Sequence, residues 1–144
     1  MNPLLGPAAV LVLWSLMVLV WMLAKRFPAF AKAKVDLRKT QPGGRYVDIE
    51  QNMPAKVNWV SHNYTHLMEQ PTLFYAVIGV LAISGDVAMV NVIAAWSYVI
   101  LRIVHSLWQG LVNVVKVRAL LFALSTLCLM VLAVNAVLRT VVLA

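Results

Sequence analysis

The chain has 144 residues, of which 62% are apolar and only 12% charged, about half the charged share of an ordinary soluble domain. That composition excludes a long disordered tail and a soluble domain with this much apolar mass uncovered. A single domain, residues 1–144, is expected at this length. The net charge of +7 suggests nucleic acid or anionic lipid, and where the charges fall decides between them.

The first element is Leu4 to Ala24, 21 residues without a charge. As a helix it covers roughly 31 Å, the thickness of a bilayer core. A signal peptide fits poorly, because the positive charges follow the apolar run instead of preceding it. Further spans are expected at about 64–83, 87–108 and 119–138. The fold class that follows is an all-α membrane protein, a four-transmembrane-helix bundle. The one cysteine, Cys128, excludes an intrachain disulfide. In its Leu/Val/Met run it is expected to be a small buried hydrophobe.

Eight of the twelve Lys and Arg residues lie between the first two spans: Lys25, Arg26, Lys32, Lys34, Arg38, Lys39, Arg45 and Lys56. Lys116 and Arg118 lie between the last two spans, and the turn at Ser84-Gly85-Asp86 carries only an acid. The positive-inside rule therefore puts the loop 25–56 in the cytoplasm and both termini on the other side. The basic balance reads as topology plus contact with anionic lipid, with no nucleic-acid partner. Within the loop, Pro28 to Lys39 suits a basic helix on the membrane surface. Asn52 with Pro54 suits a cap and first-turn proline that start the next helix before the membrane.

The informative residues are the polar ones inside the spans, because each needs a partner or a wet cavity. Asn58, His62, Thr65, His66 and Glu69 share one face of the second long helix by their 3–4 spacing. Asn91, Tyr98, Arg102, His105 and Gln109 do so on the third. Glu69 lies 14 residues before Ile83 and Arg102 lies 15 after Val87, so both sit about 21–23 Å from the outer end. His66 with His105, and His62 with Gln109, are the next layers toward the cytoplasm, with Lys116 and Arg118 at the mouth. A polar cavity opening to the cytoplasm is expected, between these helices or between subunits. Glu69 and Arg102 as a purely structural pair is the competing reading. His62, His66 and His105 have chelating spacing, but without further carboxylate or thiolate ligands no metal is expected. Pro71 crowds the carbonyl of Leu67, and a kink there would open space beside His66 and Glu69. Asn135 and Arg139 on the last span are given no chemistry.

These residues resemble the MAPEG family, the membrane-associated proteins of eicosanoid and glutathione metabolism, and most of all its bacterial branch. Asn63-Tyr64-Thr65-His66-Leu67-Met68-Glu69-Gln70-Pro71-Thr72-Leu73-Phe74-Tyr75 resembles the family's motif on the second helix, with His66 where Asn is usual. Arg102-Ile103-Val104-His105-Ser106, followed by Asn113, Lys116 and Arg118, resembles the Arg-x-x-His/Tyr motif and the basic start of the fourth helix. The resemblance implies a homotrimer in a bacterial inner membrane. It implies glutathione as co-substrate, bound between subunits near the cytoplasmic leaflet, and a lipophilic small molecule arriving through the lipid bilayer. Glu69 would hold the amino end of glutathione. Arg102 and His105 would face it, and Arg118, or Lys116, would activate the thiol. Arg26, His62, His66, Gln109 and Asn113 complete the implied binding set. A guanidinium beside the thiol favours the thiolate nucleophile.

Three positions depart from the family pattern. His62 replaces an arginine, Gln109 a tyrosine, and Ala119 a serine. They remove groups that bind carboxylate and thiol. They favour an alternative in which the same cavity holds a lipid or amphiphile without chemistry. A proton-coupled exporter using Glu69 is a third reading, which the long basic loop suits less.

Overall fold

A computed structural model describes residues 1–35 and 41–142 of the chain. Arg38 and Lys39, and with them the far part of the expected surface helix, lie outside the described residues. The described residues form four long helices, α1 (Leu5–Lys32), α3 (Ala55–Ile83), α4 (Met89–Leu111) and α5 (Val115–Val137), and a short α2 (Tyr46–Ile49) in the basic loop. A 3-10 turn (Glu50–Asn52) follows α2 and a π turn (Leu138–Val142) follows α5. All four long helices are apolar enough to cross a membrane.

Two helix ends differ from the sequence expectation. Pro28 lies inside α1, which runs on to Lys32. Residues 28–32 therefore prolong the first span and do not begin a separate surface helix. Proline's fixed φ is helical, and although it removes one backbone bond and crowds the Ala24 carbonyl, α1 continues through it for a further turn. At α3 the boundary residue is Pro54 with extended backbone, and no side chain caps the helix. Asn52 closes the 3-10 turn instead of capping α3.

α1 packs along α3 and α4 along α5, and α3 against α4 joins the two pairs. The core is a continuous apolar stack that includes Leu11, Val18, Phe74, Ile78, Tyr98 and Leu132. Phe74 stacks on Tyr98 with ring centroids 4.4 Å apart. At Gly110 the helices approach so closely that an added Cβ would stand 2.4 Å from the Trp21 ring. α3 runs through Pro71, which is buried. Cys128 is half-buried, not fully enclosed.

The end of the bundle at the α3–α4 turn is closed by side chains. Gly85 takes φ +72 at the turn, which suits a residue without Cβ. Asp86 Oδ1 accepts from the Ala88 N–H at 2.9 Å and from Asn91 Nδ2 at 3.1 Å. Asn135 Nδ2 donates to Asn91 Oδ1 at 2.6 Å, so Asn135 ties α5 to α4. Asn2 Nδ2 donates to the Asp86 carbonyl at 2.9 Å.

Candidate functional site

α4 carries the buried half of the site. Asn91, Tyr98, Arg102, His105 and Gln109 are all buried, as their spacing requires of one helix face. Arg102 is fully enclosed, and its Nη2 donates to the backbone carbonyl of His66 at 2.8 Å. Its Nε and Nη1 have no partner among the described residues. The guanidinium lies 5.7 Å from the centroid of the Phe122 ring. A desolvated cation held only by a carbonyl and a ring face is a strong attractor for an anion.

His66, His105 and Phe122 form a triangle of rings, 6.0, 6.5 and 6.3 Å apart between centroids. They line one small cavity with Val115, Arg118 and Ala119, of about 210 Å³. Arg118 is set by its turn. Asn113 adopts φ +58, a left-handed conformation that Asn tolerates, and its N–H closes on the Trp108 carbonyl at 2.7 Å. The Asn113 Oδ1 then accepts from Arg118 Nη1 at 2.8 Å. The sequence therefore brings His66, His105, Asn113 and Arg118 together, with Arg102 one layer deeper.

Other expected members stand apart. Glu69 and Arg102 share a depth but form no ion pair within the chain. The Glu69 side chain is 61% exposed, and the His66 Nδ1 lies 3.8 Å from its carboxylate. His62 does not layer with Gln109. It is exposed and pairs through Nε2 with Glu50 at 2.6 Å, whereas Gln109 is buried with an unpartnered Oε1. Arg26 turns toward its own chain, donating to Ser61 Oγ at 2.8 Å and lying 3.9 Å over the Tyr46 ring. Lys116 is exposed beside the mouth.

The stripe expected on α3 is divided, with Asn58 and His66 half-buried and the rest outward. His62, Thr65, Glu69 and Thr72 are exposed on α3, while its inward polar residues are Ser61 and Asn63. Asn63 Nδ2 donates to Ser106 Oγ at 2.9 Å, a fully buried bridge between α3 and α4. Gln70 donates to Thr126 at 2.8 Å and bridges α3 to α5.

Phe122, Glu50 and Tyr46 are the residues that sequence reasoning missed. Phe122 falls four residues after Arg118 and so shares its face of α5, a periodicity signal that was present. Glu50 and Tyr46 sit in the loop, where no periodicity points at α3. Tyr46 Oη nonetheless donates to Asn58 Oδ1 at 2.6 Å, and Asn58 Nδ2 to the Glu50 carbonyl at 3.0 Å.

The profile of the MAPEG family matches residues 4–138, nearly the whole chain. No curated protein and no solved structure matches it.

Proposed function

The chain belongs to the MAPEG family, and from that premise we propose that it is a membrane-embedded glutathione-dependent transferase or peroxidase. Glutathione binds where the cytoplasmic halves of α3, α4 and α5 meet, in a homotrimer with both termini outside the cytoplasm, in a bacterial inner membrane. The observation that carries this reading is the pairing of an incomplete cavity with an uncovered polar edge. The cavity at His66, His105 and Arg118 holds about 210 Å³ within one chain, below the few hundred cubic ångströms usual for a small-molecule site. Beside it, Thr65 and Glu69 are exposed on a helix apolar enough to cross a membrane. Polar groups at that depth need a partner. A neighbouring subunit supplies the missing wall and covers the edge.

In that site Glu69 receives the amino group of glutathione, and Arg102, His105 and Arg118 face its anionic groups. Arg118 stabilises the thiolate, and the thiol proton leaves to water at the cytoplasmic mouth. The thiolate sulfur attacks an electrophilic carbon of a lipophilic acceptor. A carbon–sulfur bond forms, and the displaced group departs with the electron pair. With a hydroperoxide, two glutathione molecules are oxidised to the disulfide while the peroxide is reduced to alcohol and water.

Calorimetry of glutathione binding to the detergent-purified protein tests the reading, with Glu69→Gln and Arg118→Ala alongside. Binding that weakens at least tenfold in both variants is expected. Absence of binding at millimolar glutathione defeats it.

A second reading has its own observation. Val115, Ala119 and Phe122 make the near wall of the cavity apolar, and His62 is held by Glu50. Those features suit an amphiphile held without chemistry, which would co-purify with the protein and be seen by lipid mass spectrometry.

A further inference from the structure

We propose that a groove between the cytoplasmic end of α1 and the start of α3 holds the phosphate of an anionic phospholipid, with Lys25 and Lys32 as its ligands. The groove encloses about 500 Å³ and shares no residue with the His66–Arg118 cavity. Small and ring-bound side chains make its depth: Ala24, Pro28 and Ala29 on α1 face Pro54 across it.

Lys25 and Lys32 are seven residues apart, so they project from one face of α1 about 10 Å apart along its axis. Their flexible four-carbon stems let both ammonium groups close on one phosphate between them. No carboxylate lines the groove among the described residues. Glu50 is engaged by His62, and Asp48 by the Arg45 N–H at 2.7 Å.

Depth selects a lipid over a soluble phosphate. Lys25 directly follows the uncharged run Leu4–Ala24, so the groove lies where hydrocarbon gives way to headgroups. On the membrane side, the preceding turns of α1 carry a second hollow of about 510 Å³. It is lined by Leu13, Leu16, Met17, Val20 and Trp21. An acyl chain fits that apolar hollow while its phosphate reaches the lysines. Pro28 offers no N–H to the Ala24 carbonyl, which leaves an acceptor at the rim for a headgroup hydroxyl. Phosphatidylglycerol supplies both groups and is the natural probe.

Native mass spectrometry of the full chain in detergent, titrated with phosphatidylglycerol or phosphatidylcholine, tests this. Wild type is compared with Lys25→Gln/Lys32→Gln and with the charge-matched Lys34→Gln/Lys56→Gln, whose residues do not line the groove. The first variant is expected to bind phosphatidylglycerol about thirtyfold more weakly, and the second within about threefold of wild type. Wild type is expected to prefer phosphatidylglycerol to phosphatidylcholine at least tenfold. Millimolar inorganic phosphate is expected to leave the bound lipid in place. Equal losses in the two variants would overturn the site in favour of diffuse attraction. Displacement by inorganic phosphate would overturn the lipid as its occupant.

Discussion

Arg102 and His66 are joined by main chain, not by charge: the guanidinium donates to the histidine's carbonyl at 2.8 Å and leaves the imidazole turned to the cavity. The arginine thereby holds the main chain at His66 while two of its nitrogens, Nε and Nη1, have no partner among the described residues. A buried cation of this kind adds little stability by itself, because desolvation offsets its contacts.

The consequence is testable. Arg102→Met is expected to leave the melting temperature unchanged or raised, while glutathione binding weakens more than tenfold. Thermal unfolding followed by circular dichroism and calorimetry on the same sample read the two effects separately. A fall of more than about 10 °C in melting temperature would mean that a partner anion already compensates the charge.

Asn63 and Ser106 form the buried bridge between α3 and α4. Asn63→Ala strands the serine hydroxyl and is expected to cost about 1–3 kcal/mol. In a cycle with Ser106→Ala, the coupling is expected near 0.6 kcal/mol and below about 1.7 kcal/mol, as for other hydrogen bonds between membrane helices. Unfolding in mixed micelles of increasing SDS fraction measures all four corners.

Gly110 is a steric requirement. A methyl group there meets the Trp21 ring at 2.4 and 2.8 Å. Gly110→Ala is expected to destabilise by about 1–3 kcal/mol through overpacking. Adding Trp21→Leu should recover part of the loss. If the double variant is no more stable than the sum of the single ones, the two positions do not collide.

Glu50 holds the loop to α3 through His62, with Tyr46 and Asn58 beside it. The pair is partly exposed, so Glu50→Gln is expected to change global stability by no more than about 1 kcal/mol. Local opening is another matter: protease cleavage within residues 41–53 should quicken severalfold. An unchanged cleavage rate would show that Tyr46 and Asn58 suffice to hold the segment.

The sequence made some of this legible and not the rest, for physical reasons. α4 is the most enclosed of the four long helices. Its polar residues therefore had one place to go, and Asn91 through Gln109 face inward at the spacing they show. On α3 the same spacing carried a different meaning. A polar stripe in a membrane helix says that it must be covered, and nothing in the spacing says by what. Thr65 and Glu69 turn outward, and the inward contacts pass to Ser61 and Asn63. Within one chain Glu69 turns outward while Arg102 is buried, because equal depth does not fix the angle around each helix. Loop contacts such as Glu50 to His62 have no period to betray them.

The outward edge of α3 also sets a condition on how much of this protein a membrane must hold. A copy diluted in lipid until it is alone would bring Thr65, Glu69 and Thr72 against hydrocarbon, or drag water in to wet them. In the proposed trimer, its folded share would then depend on meeting other copies, and so on dosage. Output is expected to rise more steeply than gene dose until encounters become frequent.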